Sequence, residues 1–88
     1  MEEVCLMAGK LNNSQMVRYW RIDQEILIDV VRGDFAIVEN VRGFDLVEII
    51  GIMHVDRKNV QLVSNTKYEN MKKVKMTMAR EELIPEQN

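Results

Sequence analysis

A chain of 88 residues, 47% hydrophobic and 30% charged, is long enough for one domain with a modest core and lacks the low-hydrophobicity, high-charge composition of a disordered chain. Its single cysteine, Cys5, excludes an internal disulfide, no Cys/His spacing suits zinc, and apolar runs such as 49–53 are far too short to span a bilayer. The net charge of −2 hides a segregation: residues 1–56 carry five Lys/Arg against ten Asp/Glu, residues 57–80 carry seven Lys/Arg against Glu69 alone, and residues 81–88 add three glutamates.

The chain opens Met1-Glu2-Glu3 and is soon broken by Gly9-Lys10, which does not make a secretion signal, so a reducing, cytoplasmic setting is expected. Residues 1–15 read as an N-terminal arm, with a short edge strand over 4–7 and a loop over 8–15. From 16 to 22, Met16, Arg18, Trp20 and Ile22 recur at period two, and the aromatics favour a strand. Residues 25–31 are ambiguous. Ile26, Ile28 and Val30 alternate as a strand, Ile22, Ile26 and Val30 also form a helical stripe, and the β-branched content tips the expectation toward strand.

Arg32-Gly33-Asp34 spells an adhesion tripeptide but more simply makes a turn. It introduces the strongest local signal, a hairpin over 35–55 that reverses near Gly43, where the missing Cβ permits positive φ. In the second arm, strict alternation puts Val47, Ile49, Met53 and Val55 with Gly51 on one face and Leu46, Ile50 and Ile52 on the other. Apolar residues on both faces, with a glycine where the strand can bend, suit a small closed barrel. Residues 60–63 read as a further strand. A last strand over 71–78 should point Val74, Met76 and Met78 inward and Lys73, Lys75 and Thr77 outward. A helical turn over 79–84 and a frayed tail over 85–88 complete the chain. The expected fold is mainly β: a small SH3-like barrel of five to six short antiparallel strands, forming one domain over 16–84.

The order Gly33-Asp34-Phe35-Ala36-Ile37-Val38-Glu39, then Arg42-Gly43-Phe44 and Val47-Glu48-Ile49-Ile50-Gly51-Ile52, resembles the opening hairpin of small bacterial barrels in the polymerase-suppressor-protein group. It is also similar to phage and prophage proteins of unknown function. A weaker likeness, continuing through 60–63, is to the KOW element of transcription and ribosomal proteins, although the second glycine that element has soon after Gly43 is absent, with Val47 nearby instead. The resemblance implies a barrel and, less directly, association with nucleic acid or a ribonucleoprotein.

The inventory for catalysis is thin: one histidine, one cysteine and two serines, Ser14 and Ser64. His54 near Asp56 could form a carboxylate-oriented base, but sharing a strand is the simpler account. Cys5 among Val4, Leu6 and Met7 reads as packing. No catalytic residue, metal or cofactor is therefore expected. Two features point to binding. Arg18-Tyr19-Trp20-Arg21 interleaves guanidinium groups with aromatics, as stacking on unpaired bases beside phosphates requires, with Trp20 serving the core and Tyr19 facing out. Lys67, Lys72, Lys73, Lys75 and Arg80 form a basic block, which would also protect an edge strand from aggregation. The expected partner is RNA, DNA or a ribonucleoprotein, with a host protein or a second copy of the chain as the alternative.

Overall fold

The computed structural model describes residues 2–11 and 14–80. Five strands form one sheet: β1 (Glu3–Leu11), β2 (Val17–Arg21), β3 (Phe35–Asn40), β4 (Gly43–Asp56) and β5 (Val74–Met78). Their order is β2-β1-β4-β3-β5, and every neighbouring pair is antiparallel. The fold is thus mainly β, as the alternation suggests.

Residues 1–15, expected as an arm or edge strand, instead supply β1, which lies between β2 and β4. Gly9, expected in a loop, is buried within it. A Cβ at Gly9 would sit 3.1 Å from Val47 Cγ2, 3.2 Å from the Glu48 carbonyl oxygen and 3.3 Å from Trp20 Cζ3. The glycine is there because the indole and a backbone carbonyl occupy the space. Gly9→Ala should therefore destabilise the fold by about 1–3 kcal/mol through overpacking, despite alanine's better strand entropy. An unchanged urea midpoint would refute this.

The hairpin of β3 and β4 closes through Val41 and Arg42, with Asn40 opposite Gly43 and φ of +128° at Gly43. Opposite β1, Ala8 faces Gly51 and Gly9 faces Ile49, so Ile50 is an extra residue next to the glycine. That bulge reverses the alternation. Ile52 joins Val47 and Ile49 on the inner face, while Met53 and Val55 turn to the outer face, which corrects the strict period-two assignment. A second bulge, at Lys75, does the same in β5. Val74 opposite Val38 points inward, whereas Met76 and Met78, expected inward, pair with outward Ile37 and Phe35, and Thr77 turns in beside Ala36.

Residues 25–31 are not a strand. Gln24–Leu27 forms the single-turn helix α1, because the Ile22, Ile26 and Val30 stripe can be laid on the inner face together with Leu27. Residues 60–63 are helical too. Asp56 caps a 3-10 turn at Arg57–Asn59 by accepting from the Lys58 N–H at 3.2 Å, α2 (Val60–Ser64) follows, and left-handed Asn65 ends it. Only Val60 of α2 is buried, and Leu62 is 85% exposed. These polar caps outweigh the β propensity of a four-residue apolar run.

Two clusters sandwich the sheet. The inner one joins Met7, Trp20, Ile22, Ala36, Val38, Val47, Ile49 and Val74. The outer one joins Val4 and Leu6 to Val60 and Met71, so the segment between β4 and β5 covers the β1 end of the outer face. The edge strands β2 and β5 meet through one parallel bridge, Arg21 with Lys73, where the Arg21 N–H donates to the Lys72 carbonyl at 2.9 Å. The sheet curls without a ladder between its edges, so it is not closed into a barrel. The expected tail at 85–88 and residues 81–84 of the expected closing helical turn lie outside the described residues. No helix among the described residues is long and apolar enough to cross a membrane.

Candidate nucleic-acid interface

Strand alternation in β2 separates its side chains. Trp20 opposes Met7 and points inward, 3% exposed, where its indole N–H donates to the Glu39 carbonyl at 3.3 Å. Tyr19 opposes Ala8, points outward and packs half-buried against the outer cluster. Arg18 is exposed. Arg21 stacks its guanidinium 4.2 Å from the centroid of Tyr68, a ring that Arg57 also approaches at 5.0 Å. Arg57 in turn reaches Glu69 at 3.3 Å and Glu2 at 3.4 Å, and its pKa is raised, chiefly by the Glu69 hydrogen bond. Arg21 Nε is a buried nitrogen without a hydrogen-bond partner among the described residues. The guanidinium expected to face a ligand is thus committed to the protein's own tyrosine.

A cleft of about 620 Å³ opens between β2, the tip of the hairpin and the segment from α2 to β5. Arg18, Tyr19 and Lys72 line it with Asn40, Asn65, Thr66 and Asn70, and among the described residues no aspartate or glutamate lines it. Because the Arg21 N–H points away from β1 to reach Lys72, alternation turns the main-chain groups of Tyr19 and Val17 the same way, toward the cleft. The asparagines and Thr66 carried no sequence signal. They belong to three separated segments that only folding assembles.

The eight residues expected to bind do not form one surface. Arg18, Tyr19 and Lys72 share the cleft, Arg21 and Lys73 meet beside it at the bridge, and Lys67 stands on the same connecting segment. Lys73 is anchored by its backbone, donating to Glu39 Oε1 at 3.3 Å. Lys75 lies over the outer-face Phe44 ring at 6.0 Å. Arg80 sits at the far end of β3, over Phe35 at 4.7 Å, donating to the Gly33 carbonyl at 3.1 Å and pairing with Glu48 at 3.6 Å. Their proximity in sequence to Lys73 is undone by the length of β5.

A second polar cluster lies across β1 and β4. Cys5 Sγ is 3.3 Å from His54 Nδ1, which Glu3 approaches at 3.6 Å, while Asp56 is occupied in capping the 3-10 turn. Burial first, then Glu3, raises the Cys5 pKa, which disfavours the thiolate. Iodoacetamide should therefore alkylate folded Cys5 more slowly near pH 8 than the urea-unfolded chain; equal or faster labelling would contradict this. Among the described residues, no group of three His, Cys, Asp or Glu is arranged to hold a metal ion.

No family model, curated protein or solved structure matches the chain.

Proposed function

We propose that the protein is a non-catalytic binding module, an open variant of the small SH3-like barrel, that holds nucleic acid in the cleft beside β2. The observation that carries this reading is a cleft with Arg18 and Lys72 on its walls and no lining carboxylate among the described residues, in a chain whose net charge is −2. Arg18 and Lys72 would neutralise phosphates, with Lys67 and Lys73 contributing from the rim. The Cys5 pKa, raised by burial and then by Glu3, disfavours the thiolate that nucleophilic catalysis needs and so supports a binding role, and a lone free thiol suits a cytoplasmic setting. The test is fluorescence anisotropy with mixed-sequence single-stranded and duplex RNA and DNA across a salt series. About two to four phosphate contacts should give a slope of log affinity against log salt of roughly −1.5 to −3.5. Absence of binding to every oligonucleotide at low salt overturns the proposal.

The outer face over β3, β4 and β5 favours a second reading, self-association. Leu46, Ile37 and Met76 stand side by side across three strands beside Phe44, and Phe44 and Met76 are 62% and 51% exposed. The segment that covers the β1 end does not extend over them. Two acids, Glu39 and Glu48, and two bases, Lys75 and Arg80, share this half of the sheet, a balanced set that fits a second copy of the chain. Sedimentation should show a dimer that Leu46→Ser with Phe44→Ser dissociates; a monomer at the highest soluble concentration rejects it.

A further inference from the structure

We infer that the cleft selects single-stranded nucleic acid and reads the edges of unpaired bases. This deepens the proposed function and rests on it. Beside apolar residues such as Met16, Val41 and Val63, the polar lining combines two kinds of group. Arg18 and Lys72 are fork and point donors suited to phosphate, whereas Asn65, Asn70 and the outward main-chain groups of Tyr19 offer paired donors and acceptors. Phosphate oxygens accept hydrogen bonds and donate none, so acceptors inside a phosphate site would be idle. A base edge uses both.

Asn65 and Asn70 make no side-chain hydrogen bond among the described residues, unlike Asn40, whose amide is held by Asp45. Asn65 is fixed by its own backbone, in the left-handed conformation at the end of α2 with its N–H donating to the Gln61 carbonyl at 2.8 Å. The main chain of Asn70 is likewise pinned, its N–H donating to the Lys67 carbonyl at 2.9 Å. Two amides on ordered backbone, beside an open strand edge, can discriminate bases. They sit within a recess of about 620 Å³, a volume suited to a nucleotide or two but not to the convex side of a helix. In a duplex the Watson–Crick edges are already paired. Tyr19 is half-buried against the outer cluster, so it supplies a fixed wall for a base.

The test measures anisotropy of four homopolymeric single strands of roughly 12 nucleotides, a matching duplex and a polyglutamate peptide, with the full chain at about 50 mM salt. The expected results are at least roughly tenfold preference for one or more single strands over the duplex, and a spread among the four homopolymers. Asn65→Gly, which suits the left-handed backbone, with Asn70→Ala should shrink that spread while the far-ultraviolet circular dichroism stays that of the folded chain. Arg18→Ala with Lys72→Ala should weaken all four alike. Equal affinity for duplex and single strands, or a spread that survives the asparagine variant, overturns the inference and leaves the proposed function standing. Loss of all oligonucleotide binding overturns both. Tighter binding of polyglutamate than of any oligonucleotide also overturns both, and makes the β2 edge a site for an extended acidic peptide.

Discussion

Replacing Trp20 by alanine is expected to lower the unfolding free energy by about 3–5 kcal/mol, a large part of the roughly 5–15 kcal/mol that holds a small domain together. The indole is 3% exposed and belongs to the inner cluster with its cross-strand neighbour Met7 and the β3 residues Ala36 and Val38. Its Cζ3 fills the space over Gly9, and its N–H satisfies the Glu39 carbonyl at 3.3 Å. Alanine would remove the largest side chain of the core and leave both a cavity and an unpaired carbonyl, and in a five-stranded sheet little else can move in. Trp20→Phe should cost less, because it keeps much of the volume while losing the hydrogen bond. Urea unfolding followed by far-ultraviolet circular dichroism measures both variants. A loss below about 1 kcal/mol for Trp20→Ala would mean that the core is not organised around this residue.

Arg18→Glu combined with Lys72→Glu should weaken oligonucleotide binding by about 100-fold or more at low salt and flatten the salt dependence by roughly two counterions. Both side chains line the cleft, so reversal replaces attraction with repulsion where a phosphate would lie. Lys75→Glu with Arg80→Glu makes an equal change in net charge away from the cleft. Lys75 lies over Phe44 on the outer face, and Arg80 is engaged by Phe35, Gly33 and Glu48 at the far end of β3. Those substitutions should change affinity by only about threefold, through the general field of the protein. Oligonucleotide titrations at several salt concentrations separate the two outcomes. Equal losses for both pairs would mean that binding follows net charge and that the cleft is not the site.

How much of the site could be read in advance is clear from individual residues. Arg18 and Tyr19 announce themselves through the aromatic and basic interleaving around Trp20, and period two correctly sends Trp20 inward and Tyr19 outward. Lys72 is visible only as one member of a basic block. Nothing local distinguishes it from Lys75, because the difference is created by the β5 ladder, which carries Lys75 away from the cleft. Asn65 and Asn70 look like ordinary turn residues, and their shared position depends on the whole segment from α2 to β5 folding against Leu6 and Val4. Arg21 reads as a ligand group, yet Tyr68, distant in sequence, takes its guanidinium.

The sequence by itself determined the mainly β character and the hairpin of β3 and β4, including its reversal at Gly43. These depend on short-range chemistry: alternation, β-branched side chains and a glycine free to adopt positive φ. Tertiary structure alone decided the central place of β1, the helical state of residues 24–27, and the reversal of facing at Ile50 and Lys75. In each case the competing local states differ by little, so the choice falls to long-range burial. Pairing on both sides turns residues 3–11 into a central strand, laying Ile26 and Leu27 on the inner cluster favours a helix over a strand, and one extra residue in a ladder reverses every side chain beyond it.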